Sequence, residues 1–267
     1  MNILYWITRN REHTYPIAMK LQQKTALVFA GLLIVLLVVV SVFASIVILS
    51  SYADLEQQYI EQDLQQAVIR IDDEGATLSA IVSDWGPWDD SYDFVQGSKP
   101  DFVQANLAPE TYTNLRLNVI LFTNRSGSII YAGGYNSSSG SMVPVPKDLV
   151  ARLGPDNPLM DLSDPRKSTS GIILLSQNPM IIASRPVVRT DFSGDPQGVV
   201  IMGRFLDTAE VGRLAELTRP SLRFSRTDDP ELSPEVYPGL REQAMPGARI
   251  IRPVDSNSIE GYTLVQD

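Results

Sequence analysis

The chain has 267 residues, a formal charge of −9 and an isoelectric point near 4.7, enough for one domain of ordinary size plus further elements. No basic stripe follows the N-terminal tail, which argues against a nucleic-acid partner. It has no cysteine and a single histidine, His13. Disulfides, thiolate chemistry, cysteine metal sites and histidine acid–base catalysis are therefore excluded from the folded part, and no cofactor or metal is expected.

In chain order, residues 1–24 form a polar tail carrying Arg9, Arg11, Lys20 and Lys24. Thr25 to Ser50 then runs without a charge. As a helix it would extend roughly 39 Å, more than the roughly 30 Å of a bilayer's hydrocarbon core. A signal peptide is the competing reading, and Ser51-Tyr52-Ala53 resembles a cleavage site. An apolar run this long favours a transmembrane helix. Basic residues before it and acidic ones after it place residues 1–24 in the cytoplasm and residues 51–267 outside the cell membrane.

Asp54 to Ser83 is free of proline, with Leu64, Val68, Ile71, Gly75, Leu78 and Val82 in alternating steps of four and three. This predicts a stalk helix, about residues 54–83. Its seam either packs on the chain's own domain or joins a second copy in a parallel homodimer. Gly86-Pro87 ends the helix, because proline lacks an amide proton and disfavours helical geometry in the residue before it. Short helices are predicted at Asp101 to Asn106 and Pro109 to Leu115. Strands follow at Asn118 to Thr123 and Ser128 to Ala132, joined through an Asn124 to Gly127 turn. Gly133 to Ser141 reads as a loop, Lys147 to Leu153 as a short helix, and the stretch to Lys167 as a Pro/Asp-rich loop. Further strands are predicted at Gly171 to Leu175, Met180 to Val188 and Gly198 to Phe205. Asp207 to Thr218 opens with an N-cap residue and Glu210 three positions later, a helix-start signature. The tail reads as a strand at Leu222 to Ser225, a helical patch at Ser233 to Ala244, and strands at Ala248 to Val254 and Ile259 to Val265. The fold class is α+β: a long N-terminal helix, then an antiparallel sheet about residues 84–267 with flanking helices.

The densest chemistry lies in Asp84 to Val95, with Trp85, Trp88, Asp89, Asp90, Tyr92 and Asp93 among its residues. Carboxylate pairs such as Asp84 with Asp89 or Asp90 suggest glycosidase work, although nothing in the spacing singles out one pair. The calcium-loop pattern is missing. A structural reading makes Trp85 and Trp88 core anchors, Asp89 a helix N-cap and Tyr92 a core residue. A functional reading makes the aromatics the wall of a small-molecule pocket, with Asn118, Tyr131 and Arg185 supplying polar contacts. Arg185 lies in an otherwise apolar strand, where its fork would suit a carboxylate or phosphate. Arg204 is expected to pair with Asp207 or a loop. Asn124 and Asn136 begin two glycosylation sequons in exposed turns.

The run from Trp85 to Val95, followed by Asn106-Leu107, Leu117-Asn118, the turn glycine Gly127 and the segment Gly198 to Asp207, resembles the fourth class of CHASE domains. The resemblance covers nearly everything from Asp54 onward. It implies a PAS/Cache-like extracytoplasmic sensor domain of a prokaryotic membrane receptor, whose output is a histidine kinase, a cyclase or a related module. It also implies one more sheet strand and a second membrane helix beyond Asp267, so either a piece of a longer receptor, the favoured reading, or a short relic or decoy is expected. The run Met19 to Lys24 resembles a family start, which places initiation at Met19 rather than Met1. The rival readings are a membrane-tethered carboxylate hydrolase and a structural surface protein.

Overall fold

The computed structural model of the protein describes residues 20–216, 249–255 and 258–263. The choice between Met1 and Met19, the strand at Leu222 to Ser225 and the helical patch at Ser233 to Ala244 lie outside those residues. The chain divides into two units, Met1–Glu56 and Gln57–Asp267.

In the first unit, helix α1 (Leu21–Trp85) begins with the 28-residue stretch Leu21–Ile48, long and apolar enough to cross a membrane. Its leucines, valines and phenylalanines are exposed on every side, as suits a helix surrounded by lipid. The Thr25 and Ser45 hydroxyls donate to the Leu21 and Ser41 carbonyls at 2.6 and 2.8 Å. Both are thus satisfied within the helix, as a bilayer requires.

In the second unit, α1 lays one face on its own domain. Ala67, Ile71, Glu74, Leu78 and Val82 are buried there, with Leu64, Val68 and Gly75 half-buried. From Leu64 to Val82 the predicted seam is thus an intrachain contact, and a second copy would need another face. The helix stops at Trp85, with the Gly86 N–H still donating to the Val82 carbonyl at 2.8 Å. Three short helices follow: α2 (Asp89–Val95), α3 (Phe102–Asn106) and α4 (Pro109–Leu115). Asp89 is the first helical residue of α2 rather than its cap. Trp88 occupies the cap position and makes no capping bond.

Six strands form one antiparallel sheet: β1 (Val119–Asn124), β2 (Ile129–Asn136), β3 (Ser141–Val143), β4 (Thr169–Leu174), β5 (Pro179–Val187) and β6 (Gly198–Phe205). Their spatial order is β3-β2-β1-β6-β5-β4. The central strands β1 and β6 are buried on both faces, which explains their continuous apolar runs. At the β1–β2 turn, the Asn124 Oδ1 accepts from the Ser126 and Ser128 amides at 3.1 and 2.9 Å, and Gly127 takes φ 80°.

The expected loop at Gly133 to Ser141 is instead the end of β2 and a turn into β3. Its glycines are there for close approach. A Cβ at Gly133 would land on the Tyr112 and Tyr131 hydroxyls, and one at Gly134 on the Val143 carbonyl.

Two cores sandwich the sheet. Ile120, Phe122, Ile181, Ala183, Val200 and Met202 face α1 to α4, and Val119, Leu121, Met180, Ile182 and Ile201 face Leu149 and Leu159. Leu149 belongs to α5 (Lys147–Arg152). Helix α6 (Thr208–Glu216) starts as expected, with the Asp207 Oδ1 accepting from the Glu210 amide at 2.9 Å. Strands β7 (Arg249–Asp255) and β8 (Ser258–Thr263) form a separate two-stranded sheet and do not extend the large one. The β8 backbone lies directly on the stalk: a Cβ at Gly261 would sit 2.5 Å from the Ile60 Cγ2 and 2.8 Å from the Leu64 Cδ1.

Candidate functional site

The stretch from Asp84 to Val95 turns the end of α1 into α2 across the apolar sheet face. Gly86 permits this turn because a Cβ there would lie 2.8 Å from the Pro186 carbonyl oxygen. The Val188 N–H donates to the Gly86 carbonyl at 3.1 Å, fastening the junction to β5.

Around it, aromatic rings pack edge to face and stacked. Ring centroids are 5.7 Å apart for Trp85 and Trp88, 5.6 Å for Trp88 and Phe102, 4.5 Å for Phe94 and Phe102, and 5.4 Å for Phe94 and Phe122. Trp85 and Trp88 remain half-buried at the rim, while the three phenylalanines are buried. Such contacts add to the stabilisation that burial alone gives.

The carboxylates of the stretch have separate partners. Asp89 and Thr190 bond reciprocally: the Thr190 amide donates to the Asp89 Oδ1 at 3.0 Å, and the Asp89 amide donates to the Thr190 hydroxyl at 3.3 Å. Asp90 pairs with Lys99 at 2.5 Å, and Asp84 is exposed. The Arg189 guanidinium lies 4.3 Å over the Tyr92 ring and 4.0 Å from both Asp89 and Asp93. Among the described residues no cluster of three or more metal-ligating side chains occurs.

Arg185 stands on β5 at this junction. Its Nη1 donates to the Ser83 hydroxyl at 2.7 Å, while its buried Nε has no hydrogen-bond partner. No carboxylate lies within ion-pair distance of it among the described residues. Burial pulls its pKa below the usual arginine value, with Asp164 acting in the opposite direction. Arg185 is therefore a half-buried cation with spare donor capacity and, among the described residues, no carboxylate within ion-pair distance.

Asn118 and Tyr131 stand apart from it. Through strand pairing, Tyr131, Phe122, Val200 and Arg185 form one row across four strands, so Tyr131 and Arg185 are about 14 Å apart by strand spacing. The Asn118 amide donates to the Tyr135 carbonyl and the Ser137 hydroxyl, both at 3.1 Å, and accepts from the Phe205 amide at 2.9 Å. Tyr131 shares a 2.9 Å hydroxyl contact with Tyr112. Burial, then this hydrogen bond, holds the Tyr112 hydroxyl well above the ordinary tyrosine range. The seven candidate residues thus form two groups. Trp85, Trp88, Asp89, Tyr92 and Arg185 gather at the helix junction, and Asn118 and Tyr131 sit at the β1–β2 end.

The sequence did not anticipate a charged cluster deeper in the same face. Arg204, on β6, pairs with Glu74 of the stalk rather than with Asp207. Its Nε and Nη2 also donate to the Arg116 and Leu115 carbonyls at 2.7 and 3.0 Å. Arg213 on α6 pairs with Glu74 and with Glu210. Burial by itself would raise the Glu210 pKa, but the Arg213 hydrogen bond and the surrounding arginine charges outweigh it and hold the carboxyl below its usual value. The available signal was a glutamate three residues beyond Ile71, on the flank of the apolar seam.

The methanogenesis regulatory histidine kinase FilI of Methanothrix harundinacea is 29% identical over 197 residues, covering 74% of this chain and 22% of the relative. The chain thus spans about a fifth of that protein's length. The sensor domain of DcuS from E. coli aligns with 55% of this chain and 98% of its own, at 13% identity and TM-score 0.37. A domain of a sensory box/GGDEF family protein from Vibrio parahaemolyticus aligns with 77% of this chain and 94% of its own, at 14% identity and TM-score 0.49. Neither structural likeness bears on function. The family model for the CHASE4 domain matches residues 70–225, more than half of the chain, from the stalk through the sheet. This membrane protein therefore belongs to the CHASE4 family of sensor domains, the input modules of signal-transduction receptors.

Proposed function

We propose that the chain is the input end of a receptor histidine kinase, with residues 1–24 in the cytoplasm and residues 51–267 outside. The likeness to a regulatory histidine kinase supports the output class. Lysines and arginines before the apolar stretch, against acidic residues after it, support the orientation.

The ligand in this reading is a small molecule with a carboxylate or phosphate group, received at Arg185. Trp85, Trp88, Asp89 and Tyr92 line the approach, and Asn118 and Tyr131 act from the far end of the same sheet face. The observation that carries this reading is the half-buried Arg185 guanidinium, which has no anionic partner among the described residues and whose Nε makes no hydrogen bond. Binding would bias the stalk only through different affinity for two arrangements of helix and sheet.

A second copy would meet the chain along the opposite face of the stalk. Tyr59 and Ile69 are 62% and 48% exposed there, and with Gln62, Gln66, Asp73, Ala76 and Ala80 they repeat in steps of three and four.

The absence of native cysteine gives a direct test. A Ser193→Cys variant in intact cells is expected to react with a membrane-impermeant maleimide, and labelling only after lysis would refute the orientation. Purified chain is expected to be stabilised against heat by a member of a panel of small carboxylates and phosphates, with the shift lost in Arg185→Met. No shift across the panel, or one that persists in Arg185→Met, would refute the ligand class.

A further inference from the structure

Most contacts between the stalk and the sheet are apolar. Ile71, Leu78 and Val82 pack against the sheet face, and Gly75 only touches it, a Cβ there lying 3.9 Å from the Ser170 hydroxyl. Apolar burial is non-directional, so these contacts fix which face of α1 is buried more firmly than they fix its register.

Glu74 is different. It is 8% exposed, and its two carboxylate oxygens are divided between arginines from two other elements. Oε2 takes Arg204 from β6, and Oε1 takes Arg213 from α6. Arg204 is 2% exposed and is itself held by two carbonyls at the end of α4. Arg116 approaches from that end at 3.7 Å from Glu74 and 3.8 Å from Glu210. The four elements α1, α4, β6 and α6 thus converge on one stalk carboxylate.

Arg116, Arg204 and Arg213 face Glu74 and Glu210. Withdrawing Glu74 leaves three guanidinium groups facing one carboxylate. Sliding α1 to the next register that keeps its apolar face on the sheet, three or four residues away, carries Glu74 about 4.5–6 Å along the axis, which no side-chain adjustment can follow while both oxygens stay paired.

We propose that the Glu74–Arg204–Arg213 cluster is a register latch, with the stalk helix and the sheet having two discrete arrangements, latched and released. The latch is a property of helix and sheet alone, and its use in signalling rests on the sensor reading above. Packed interfaces of this kind are bistable rather than continuously deformable.

The test measures register directly in the full chain. Nitroxide labels at Thr77→Cys on the stalk, off the face proposed for a second copy, and Ser193→Cys in the loop between β5 and β6 report one intrachain distance in bilayer discs when labelled chain is diluted in unlabelled chain, with no native cysteine to interfere. The parent is expected to give a single narrow distance. Glu74→Gln is expected to add a second population displaced by about 4.5–6 Å, the rise of three or four helical residues. Leu78→Ala, which removes packing from the same face, is expected to melt earlier while keeping the single distance. An unchanged distance in Glu74→Gln, or an equal shift in Leu78→Ala, would overturn the proposal. If Glu74→Gln does not fold, Arg213→Gln decides by the same criterion. The measurement involves no ligand and no labelling in cells, so its failure is separate from failure of the sensor reading.

Discussion

Replacing Gly86 with alanine tests how tightly the end of the stalk docks on the sheet. The new Cβ would meet the Pro186 carbonyl oxygen at 2.8 Å, the Arg185 Cγ at 3.0 Å and the Val82 carbonyl oxygen at 3.1 Å. Two of these three are backbone atoms that cannot swing aside, and the nearest is about 0.6 Å inside ordinary contact. Overpacking of this kind costs about 1–3 kcal/mol. Restricting the unfolded chain returns about 0.4–1 kcal/mol. The balance ranges from about 0 to about 2.6 kcal/mol destabilising, centred near about 1.3 kcal/mol, and at about 2–4 °C per kcal/mol for a domain of this size that central value lowers the Tm by about 3–5 °C. The assay is thermal melting followed by tryptophan emission in a Trp6→Phe background, so that only Trp85 and Trp88 report, the two residues flanking the junction. A Tm at or above that of the parent, with unchanged emission, would refute the close approach of helix end and β5.

Asn118→Ala removes three hydrogen bonds, to the buried Tyr135 carbonyl, the half-buried Phe205 amide and the hydroxyl of exposed Ser137. At about 1 kcal/mol each, with a further cost for the unpaired amide, it is expected to lose about 2–4 kcal/mol in denaturant unfolding, and a loss under about 0.5 kcal/mol would contradict that bonding. The depressed carboxyl of Glu210 stabilises the fold above its unfolded value of 4.5 and loses that contribution as pH falls through the lower folded value. Parent and Glu210→Gln are therefore expected to converge in stability as pH drops below about 4.5, and a constant difference down to about pH 3 would count against the ion cluster.

Some of this molecule is legible because its physics is local. Strands β1 and β6 declare themselves as apolar runs, since both of their faces are covered. The end of α1 is written in Gly86-Pro87, and the start of α6 in Asp207 and Glu210. Gly133 and Gly134 misled the reading toward a loop because they look like turn residues. They are glycine because tyrosine hydroxyls and a neighbouring strand occupy the space a side chain would need. The pairing of Arg204 with Glu74 spans 130 residues, and no local pattern encodes a partner that distant. The candidate site was legible as a composition, two tryptophans and a tyrosine beside carboxylates. Its division into two groups was not, because the order that places β1 and β6 between β2 and β5 is a property of the sheet, not of any one segment.

The two polar anchors of the stalk match in spacing, and this has an energetic consequence. Ser83, which accepts from Arg185, and Glu74, which holds Arg204, are nine residues apart on α1, about 13.5 Å of helix. On the sheet, Arg185 pairs with Val200, four positions before Arg204 on the adjacent strand, or about 13 Å along it. A rigid helix therefore satisfies both anchors in one register and loses both in any other. If the segment between them moves as one body, releasing the first anchor lowers the cost of releasing the second. The cycle built from Arg185→Met, Glu74→Gln and the double variant is then expected to show a coupling of at least about 0.5–1 kcal/mol in unfolding free energy, although the two sites share no contact. Additivity within about 0.3 kcal/mol would mean that the helix yields between the anchors, in the neighbourhood of Gly75, and that an event at Arg185 does not reach the Glu74 cluster through α1.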